Sequence, residues 1–181
     1  QYVTPLAVPL KTPPDQTPVE KQTASDWYQE GVLRKQQMRI VDAKTAFEEA
    51  LAKDPSHSAA LREWGVIALD WMQYQQAIDR LATAVTYDAN DGLAWYYLGV
   101  AHLRTGNAAE ALHCAGRAIR TLSTAALGYD LAGRAHMRLG DYESAADAFA
   151  LAIRRDSQDA RAHDHMMIAL YAKGDKDAAR V

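Results

Sequence analysis

The chain has 181 residues, of which 49% are hydrophobic, so it can bury a substantial core as one domain or as a short repeat array. Its 20 basic and 23 acidic residues give a formal net charge of −3, which provides no global positive field for nucleic acid or an anionic membrane. A single cysteine excludes an intramolecular disulfide and leaves the compartment open between cytoplasm and bacterial periplasm. No run of about 20 apolar residues is present, so we expect no direct insertion into a membrane.

Residues 1–23 contain most of the prolines in the chain. Five of the six fall here, at Pro5, Pro9, Pro13, Pro14 and Pro18. Because proline cannot continue a helix, we expect an extended lead-in or linker. Apolar side chains such as Tyr2 and Leu6 favour contact with a surface. Either the segment docks on the rest of this chain, or it is the tail of a preceding domain.

From residue 24 onward, small and bulky residues recur at a fixed interval of 34 positions. The glycine series is Gly31, Gly65, Gly99 and Gly133, and an alanine series is Ala43, Ala77, Ala111, Ala145 and Ala179. A bulky series is Trp27, Leu61, Trp95 and Tyr129, and a second, later series is Phe47, Leu81, Ala115 and Phe149. Helices whose axes are about 8–10 Å apart need a small residue where the neighbour inserts a large one. The pattern therefore predicts closely packed helices, and a bulky substitution at Gly99 should disrupt its hairpin.

Turn-forming residues divide each period into two helices. Glycine followed by asparagine or aspartate is typical of a helix end joined to the next N-cap, and it occurs at 106–107, 140–141 and 174–175. Aspartate-rich segments at 54–56, 88–91 and 156–159 supply further turns. Each unit is therefore predicted to be helix, tight turn, helix, turn.

This pattern resembles the tetratricopeptide-repeat (TPR) family, in which a bulky residue, a glycine four later and two further alanines recur in each unit. The resemblance implies an all-α solenoid, a right-handed superhelix of helical hairpins, following the extended proline-rich segment. It extends from Ala24 to about Val181. We divide this array into units at 24–57, 58–91, 92–125 and 126–159, with an incomplete fifth at 160–181.

The resemblance also implies where a partner would bind, because the first helix of each unit lines a concave groove in this family. Tyrosine and arginine dominate binding hot spots, and both recur on these helices. The candidate partner-binding residues are Tyr28, Arg62, Tyr96, Tyr97, Arg104, Arg134 and Arg138. Aliphatic residues at inward positions, such as Val66 and Val100, could equally pack between helices, and that alternative stays open.

One subclass of the family clamps the terminal carboxylate of chaperone tails with lysine, asparagine and arginine. The corresponding positions here hold Tyr28, Val32, Glu63, Leu93 and Tyr97. None carries a cationic or amide donor, and Glu63 would repel a carboxylate. We therefore expect the chain not to bind chaperone tails.

Neither the histidines nor the cysteine form a convincing catalytic or metal site. His163 and His165 are two positions apart on a predicted helix and point in different directions, so they cannot chelate one metal together. His113 and Cys114 diverge for the same reason, and Cys114 is expected to be a small core residue. With no phosphate loop, paired-carboxylate motif or serine elbow, we expect no enzymatic activity and no cofactor.

The leading functional hypothesis is a scaffold that binds a protein or peptide in the concave groove. Two alternatives remain. The array could be a structural or oligomerisation appendage of a larger bacterial enzyme or carbohydrate-handling protein, with a preceding domain or a homo-oligomer as its partner. It could also be an exported assembly factor tethered by the proline-rich start.

Overall fold

The computed structural model describes residues 23–123 and 125–174. Over these residues the chain forms nine α-helices and no β-strand. The helices are α1 (Ala24–Gln36), α2 (Ile40–Lys53), α3 (Ser58–Asp70), α4 (Tyr74–Tyr87), α5 (Gly92–Arg104), α6 (Ala108–Thr121), α7 (Ala126–Leu139), α8 (Tyr142–Arg155) and α9 (Ala160–Lys173).

Each helix packs against the next one along the chain, and the first helices of successive hairpins, α3, α5, α7 and α9, also contact one another in series. Links of two or three residues within each hairpin force its helices to run antiparallel. The predicted all-α solenoid of helical hairpins is confirmed. None of the helices in the described ranges combines the length and apolar character needed to cross a bilayer.

The assignment of repeat units and of a lead-in segment remains a prediction. Four hairpins, α1–α2 to α7–α8, precede α9, which packs on α8 and α7. The extended segment predicted within 1–22 and the end of the incomplete fifth unit, 175–181, lie outside the described residues. Thr23, the first described residue, caps α1. Its side chain accepts a hydrogen bond from the Asp26 backbone amide, and the Asp26 carboxylate accepts one from the Thr23 backbone amide, which together form a capping box.

The glycine period follows from contact with large buried rings and aliphatic side chains. A Cβ atom on Gly31 would lie 2.5 Å from Phe47, and one on Gly133 would lie 2.5 Å from Phe149. Both phenylalanines are completely buried. In each pair the large residue comes 16 positions later, on the second helix of the same hairpin. The glycines are therefore needed for the close approach of the two helices.

The third hairpin solves the same packing problem differently. Its residue 16 positions after Gly99 is Ala115, which is too small to fill the space. Leu131, from α7 of the next hairpin, fills it instead, and a Cβ on Gly99 would lie 2.5 Å from this side chain. Leu131 thereby packs the fourth hairpin against the third.

The turns within hairpins use one left-handed residue at an equivalent repeat position. Gly106, Gly140 and Gly174 have φ angles of 86°, 77° and 94°. In the first two hairpins the position holds Met38 and Met72, with φ angles of 61° and 58°. A non-glycine residue there is strained by its Cβ. The two turns follow from the predicted units, but left-handed residues at Met38 and Met72 were not predicted.

Candidate functional site

Two adjoining cavities lie along the first helices of the hairpins, and together we call them the groove. The α3–α5 cavity, of about 370 Å³, is lined by Val66, Leu69, Asp70, Met72, Tyr74, Tyr96, Tyr97, Val100 and Arg104. The α5–α9 cavity, of about 480 Å³, is lined by Leu103, Arg104, Arg134, Met137, Arg138, Phe149, His165 and Ile168. Arg104 borders both cavities and so joins them into one continuous surface.

Five of the seven candidate partner-binding residues line the groove, namely Tyr96, Tyr97, Arg104, Arg134 and Arg138. Tyr28 and Arg62 line neither cavity. The Tyr28 ring lies 5.0 Å from the ring of His57 and 6.0 Å from that of Phe47, so it packs on the core of the first hairpin.

Arg62 is held in a network of charges at the amino-terminal end of the array. Its Nη1 lies 2.6 Å from Asp91 Oδ2, and its Nη2 lies 3.2 Å from Glu63 Oε1. The other oxygen of Glu63 accepts from Lys35 at 2.6 Å. The cations of α1 and α3 in this network are thus neutralised by carboxylates of the same chain.

The two tyrosines of α5 pack edge to face, with ring centroids 5.2 Å apart. Both are half-buried, so they present part of each ring while the rest is fixed by neighbouring side chains. Burial raises the pKa of the Tyr96 phenol, and Arg134 opposes this shift. Tyr96 therefore keeps its hydroxyl proton at neutral pH and can donate a hydrogen bond.

The arginines of the α5–α9 cavity are much less neutralised than Arg62. Within residues 23–123 and 125–174, Arg104 and Arg138 form no ion pair. Arg134 has one loose pair, with Nη1 3.4 Å from Asp130 Oδ2. The α5–α9 cavity is consequently cationic.

Asp130 and His165 connect the helices on the two sides of this cavity. Asp130 is the one buried charged residue in the described part of the chain, with 7% of its surface exposed. Its Oδ1 lies 2.8 Å from His165 Nδ1, and the His165 ring packs 5.3 Å from that of Phe149. These contacts fix α9 against α7 and α8.

His165 and Ile168 line the groove but were not among the predicted partner-binding residues. His165 occupies the same repeat position as Tyr97, and Ile168 the same position as Val66, Val100 and Arg134. Extending the 34-residue step into the fifth unit would have found both. Phe149 and Tyr74 lie on second helices, where the expected groove pattern gave no signal.

The paired histidines of α9 have separate partners. His163 Nε2 lies 3.3 Å from the Ser157 carbonyl oxygen, whereas His165 is bonded to Asp130. In the described part of the chain, no three histidine, cysteine or carboxylate side chains are grouped so that they could hold a metal ion.

Cys114 is a core residue, as predicted, with 2% of its surface exposed. Burial raises the pKa of its thiol to about 12. The ring of the preceding His113 lies 6.0 Å from that of Trp95. Cys114 therefore remains a thiol at neutral pH, which makes it a poor nucleophile.

Comparison with known proteins identifies the repeats. Two tetratricopeptide-repeat family models match residues 73–126 and 127–159. No curated protein sequence matches the chain significantly. Several solved structures share its fold, including a MamA protein at 24% identity, covering 86% of this chain and 85% of that one with a TM-score of 0.75.

Two further structures are less similar in sequence. YrrB, described as a TPR protein with an unusual peptide-binding site, is 20% identical over 86% of this chain and 80% of that one, with a TM-score of 0.72. PilF of Pseudomonas aeruginosa is 19% identical over 87% of this chain and 72% of that one, with a TM-score of 0.77. These likenesses concern the fold, and the repeat matches agree with them. Residues 73–159 are thus tetratricopeptide repeats, and the chain shares its fold with solved proteins that include a TPR protein.

Proposed function

We propose that this chain is a non-catalytic scaffold that binds a peptide, or an extended segment of a partner protein, along the groove. The observation that carries the proposal is the pair of adjoining cavities joined at Arg104. A chain that lies across both cavities could place side chains in each. The family match gives general support, because TPR proteins act as protein-interaction scaffolds, and YrrB is described as having a peptide-binding site.

The chemistry of the groove suits recognition of a peptide. Tyr96 and Tyr97 offer large, partly fixed surfaces, and immobilising them further on binding costs little conformational entropy. Val100 and Leu69 add apolar surface to the same cavity. Rigid helices carry all of these residues, so the binding surface is largely formed before the partner arrives.

A catalytic role is disfavoured by the state of the nucleophile and histidines. Cys114 is buried with a raised pKa, and His113 packs on Trp95 away from any groove residue. His165, which does line the groove, is hydrogen-bonded to Asp130. The groove therefore offers binding contacts, and its His165–Asp130 pair has no serine, threonine or cysteine among the cavity-lining residues to activate.

Peptide selection combined with cross-linking tests the proposal. Random twelve-residue peptides displayed on phage would be selected on the chain, and enriched peptides would be cross-linked to variants carrying benzoylphenylalanine. At Ile168, which lines the groove and is 55% exposed, we expect efficient cross-linking. At Val41 on α2, which is 67% exposed outside the groove, we expect little. Equal cross-linking at both positions, or no enriched peptide, would argue against groove binding.

A second candidate function is assembly, with a second copy of the chain as partner. It is favoured by the apolar surface of α9, where Met167 is 52% and Ile168 55% exposed. Light scattering over a range of concentrations tests it. A dimer that Met167→Glu dissociates would support assembly, and a monomer at all concentrations would contradict it.

A further inference from the structure

We infer that the segment bound in the groove is acidic and aliphatic, and that its side-chain carboxylates are held by Arg104, Arg134 and Arg138. This inference rests on the proposed function, since it specifies the chemistry of a ligand for the same groove. It concerns the α5–α9 cavity, which these three arginines line together with aliphatic side chains.

The first argument is the contrast between the two ends of the array. At the amino-terminal end, Lys35 and Arg62 are paired with Glu63 and Asp91 at N–O distances of 2.6 to 3.2 Å. Breaking such partly buried pairs would leave uncompensated charges, so these cations are poorly available to a ligand. An anionic ligand is therefore expected at the other end.

The second argument is that the cavity has an excess of positive charge. None of its lining residues is acidic. The Asp130 carboxylate lies outside this lining, with Oδ2 3.4 Å from Arg134 and Oδ1 2.8 Å from His165 Nδ1. Like charges in one concave site raise the local potential, and carboxylates of a ligand would relieve the repulsion between them.

The third argument is the arrangement of the arginines along the helices. Arg134 and Arg138 are one turn apart on α7, a rise of about 6 Å. Arg104 and Arg138 occupy equivalent positions in successive hairpins, 34 residues apart. Three guanidinium groups offer more hydrogen-bond donors than the two oxygens of a single terminal carboxylate can accept. An internal segment with two or more acidic side chains fits better, because each guanidinium can bind a carboxylate with paired hydrogen bonds.

The apolar lining defines the other half of the recognised segment. Leu103, Met137 and Ile168 lie among the arginines. Ile168 is exposed, so a large aliphatic side chain of the ligand could cover it. Nucleic acid would need an aromatic platform for its bases, whereas the one phenyl ring in this cavity, Phe149, is completely buried. An acidic peptide with an aliphatic anchor therefore fits the site better than RNA.

The test compares peptide selection on three forms of the chain. The wild type would be compared with Arg104→Gln, Arg138→Gln, which removes the two arginines that have no ion pair in the described ranges. A control, Arg120→Gln, Arg155→Gln, removes the same charge from exposed positions on α6 and α8 that line neither cavity. Thermal melting by circular dichroism would establish that all three forms fold equally.

We expect enriched peptides to carry acidic residues flanking a large aliphatic one. Synthetic versions, acetylated and amidated so that no terminal charge remains, should bind the groove variant roughly tenfold or more weakly than wild type. The control should bind these peptides as tightly as wild type does. Added salt should weaken peptide binding to both forms. Replacing the acidic residues of the peptide by their amides should reduce affinity similarly.

Different failures point to different parts of the account. Neutral peptides that cross-link at Ile168, or acidic ones indifferent to the arginine changes, would overturn the acidic ligand while leaving groove binding intact. Enriched peptides that avoid Ile168, or no enrichment, would overturn both proposals. A uridine oligonucleotide of twenty nucleotides, or phosphatidylserine vesicles, could instead bind more strongly than the peptides and depend on the same arginines. That result would overturn the peptide as ligand in favour of another anionic partner.

Discussion

His165 Nδ1 lies 2.8 Å from Asp130 Oδ1, and this contact spans 35 residues of sequence to join α9 to α7. Asp130 is almost completely buried and also lies 3.4 Å from Arg134. The same carboxylate therefore fixes the position of the last described helix and orients one arginine of the groove. Stability and the shape of the cationic cavity are coupled through this one residue.

Replacing Asp130 with asparagine should loosen α9. The amide keeps the volume but removes the negative charge that faces Arg134 and His165, so we expect a loss of about 1–3 kcal/mol in the free energy of unfolding. Urea denaturation measures this loss, and hydrogen exchange should be faster in α9 than in wild type. Asp147→Asn, at an exposed position on α8, is the matched control and should change neither. Unchanged exchange in α9 would show that the contact does not hold the helix.

Glycines at different repeat positions should respond oppositely to alanine. In Gly133→Ala the new Cβ would lie 2.5 Å from the buried Phe149 ring, and we expect a loss of about 1–3 kcal/mol from overpacking. In Gly116→Ala no atom lies within 4 Å of the new Cβ, so the better helix propensity should add about 0.5–1 kcal/mol. Denaturant unfolding compares the two variants. Similar effects at both positions would refute the packing explanation of the glycine period.

The repeat could be read from sequence because the same packing contact recurs in three of the four hairpins. Gly31, Gly65 and Gly133 all face a large residue 16 positions later, and such a regular constraint is visible without coordinates. The exception at Gly99 could not be predicted. There Ala115 leaves space, and only the packing of hairpins against each other brings Leu131 into it.

The strained turn at Met38 should be relieved by glycine. Its φ angle is 61° and its side chain is 81% exposed, so Met38→Gly removes a Cβ conflict while losing little packing. The relief of about 1–2 kcal/mol is partly offset by the greater flexibility of glycine in the unfolded chain. We expect a higher melting temperature, measured by circular dichroism. The neighbouring Gln37→Gly, at a φ angle of −81°, lacks this strain and should lower it.

Cys114 should be protected from thiol reagents in the folded chain. The thiol is buried and its pKa is raised to about 12, so little thiolate is present or reachable. Reaction with Ellman's reagent at mildly alkaline pH should be at least about a hundredfold slower than in denaturant, because it requires local opening. Reaction at the same rate in both states would contradict the placement of Cys114 in the core.

The candidate site was predictable where it follows the repeat and unpredictable where it depends on contacts across hairpins. Tyr96 and Arg134 were identified from their repeat positions, and both line the groove. Arg62 shares the repeat position of Tyr96 but is paired with Asp91, 29 residues away, which periodicity does not reveal. The buried state of Asp130 likewise depends on α9, whose packing could not be inferred from α7 alone.

The most direct test of groove binding uses the methyl groups of the methionines as probes. The chain has five methionines, and Met137 lines the α5–α9 cavity whereas Met38 lies in an exposed turn outside both cavities. In a chain labelled with ¹³C at the methionine methyl groups, a selected peptide should shift the Met137 resonance progressively and leave that of Met38 unchanged. A shift at Met38 with none at Met137 would contradict binding in the groove.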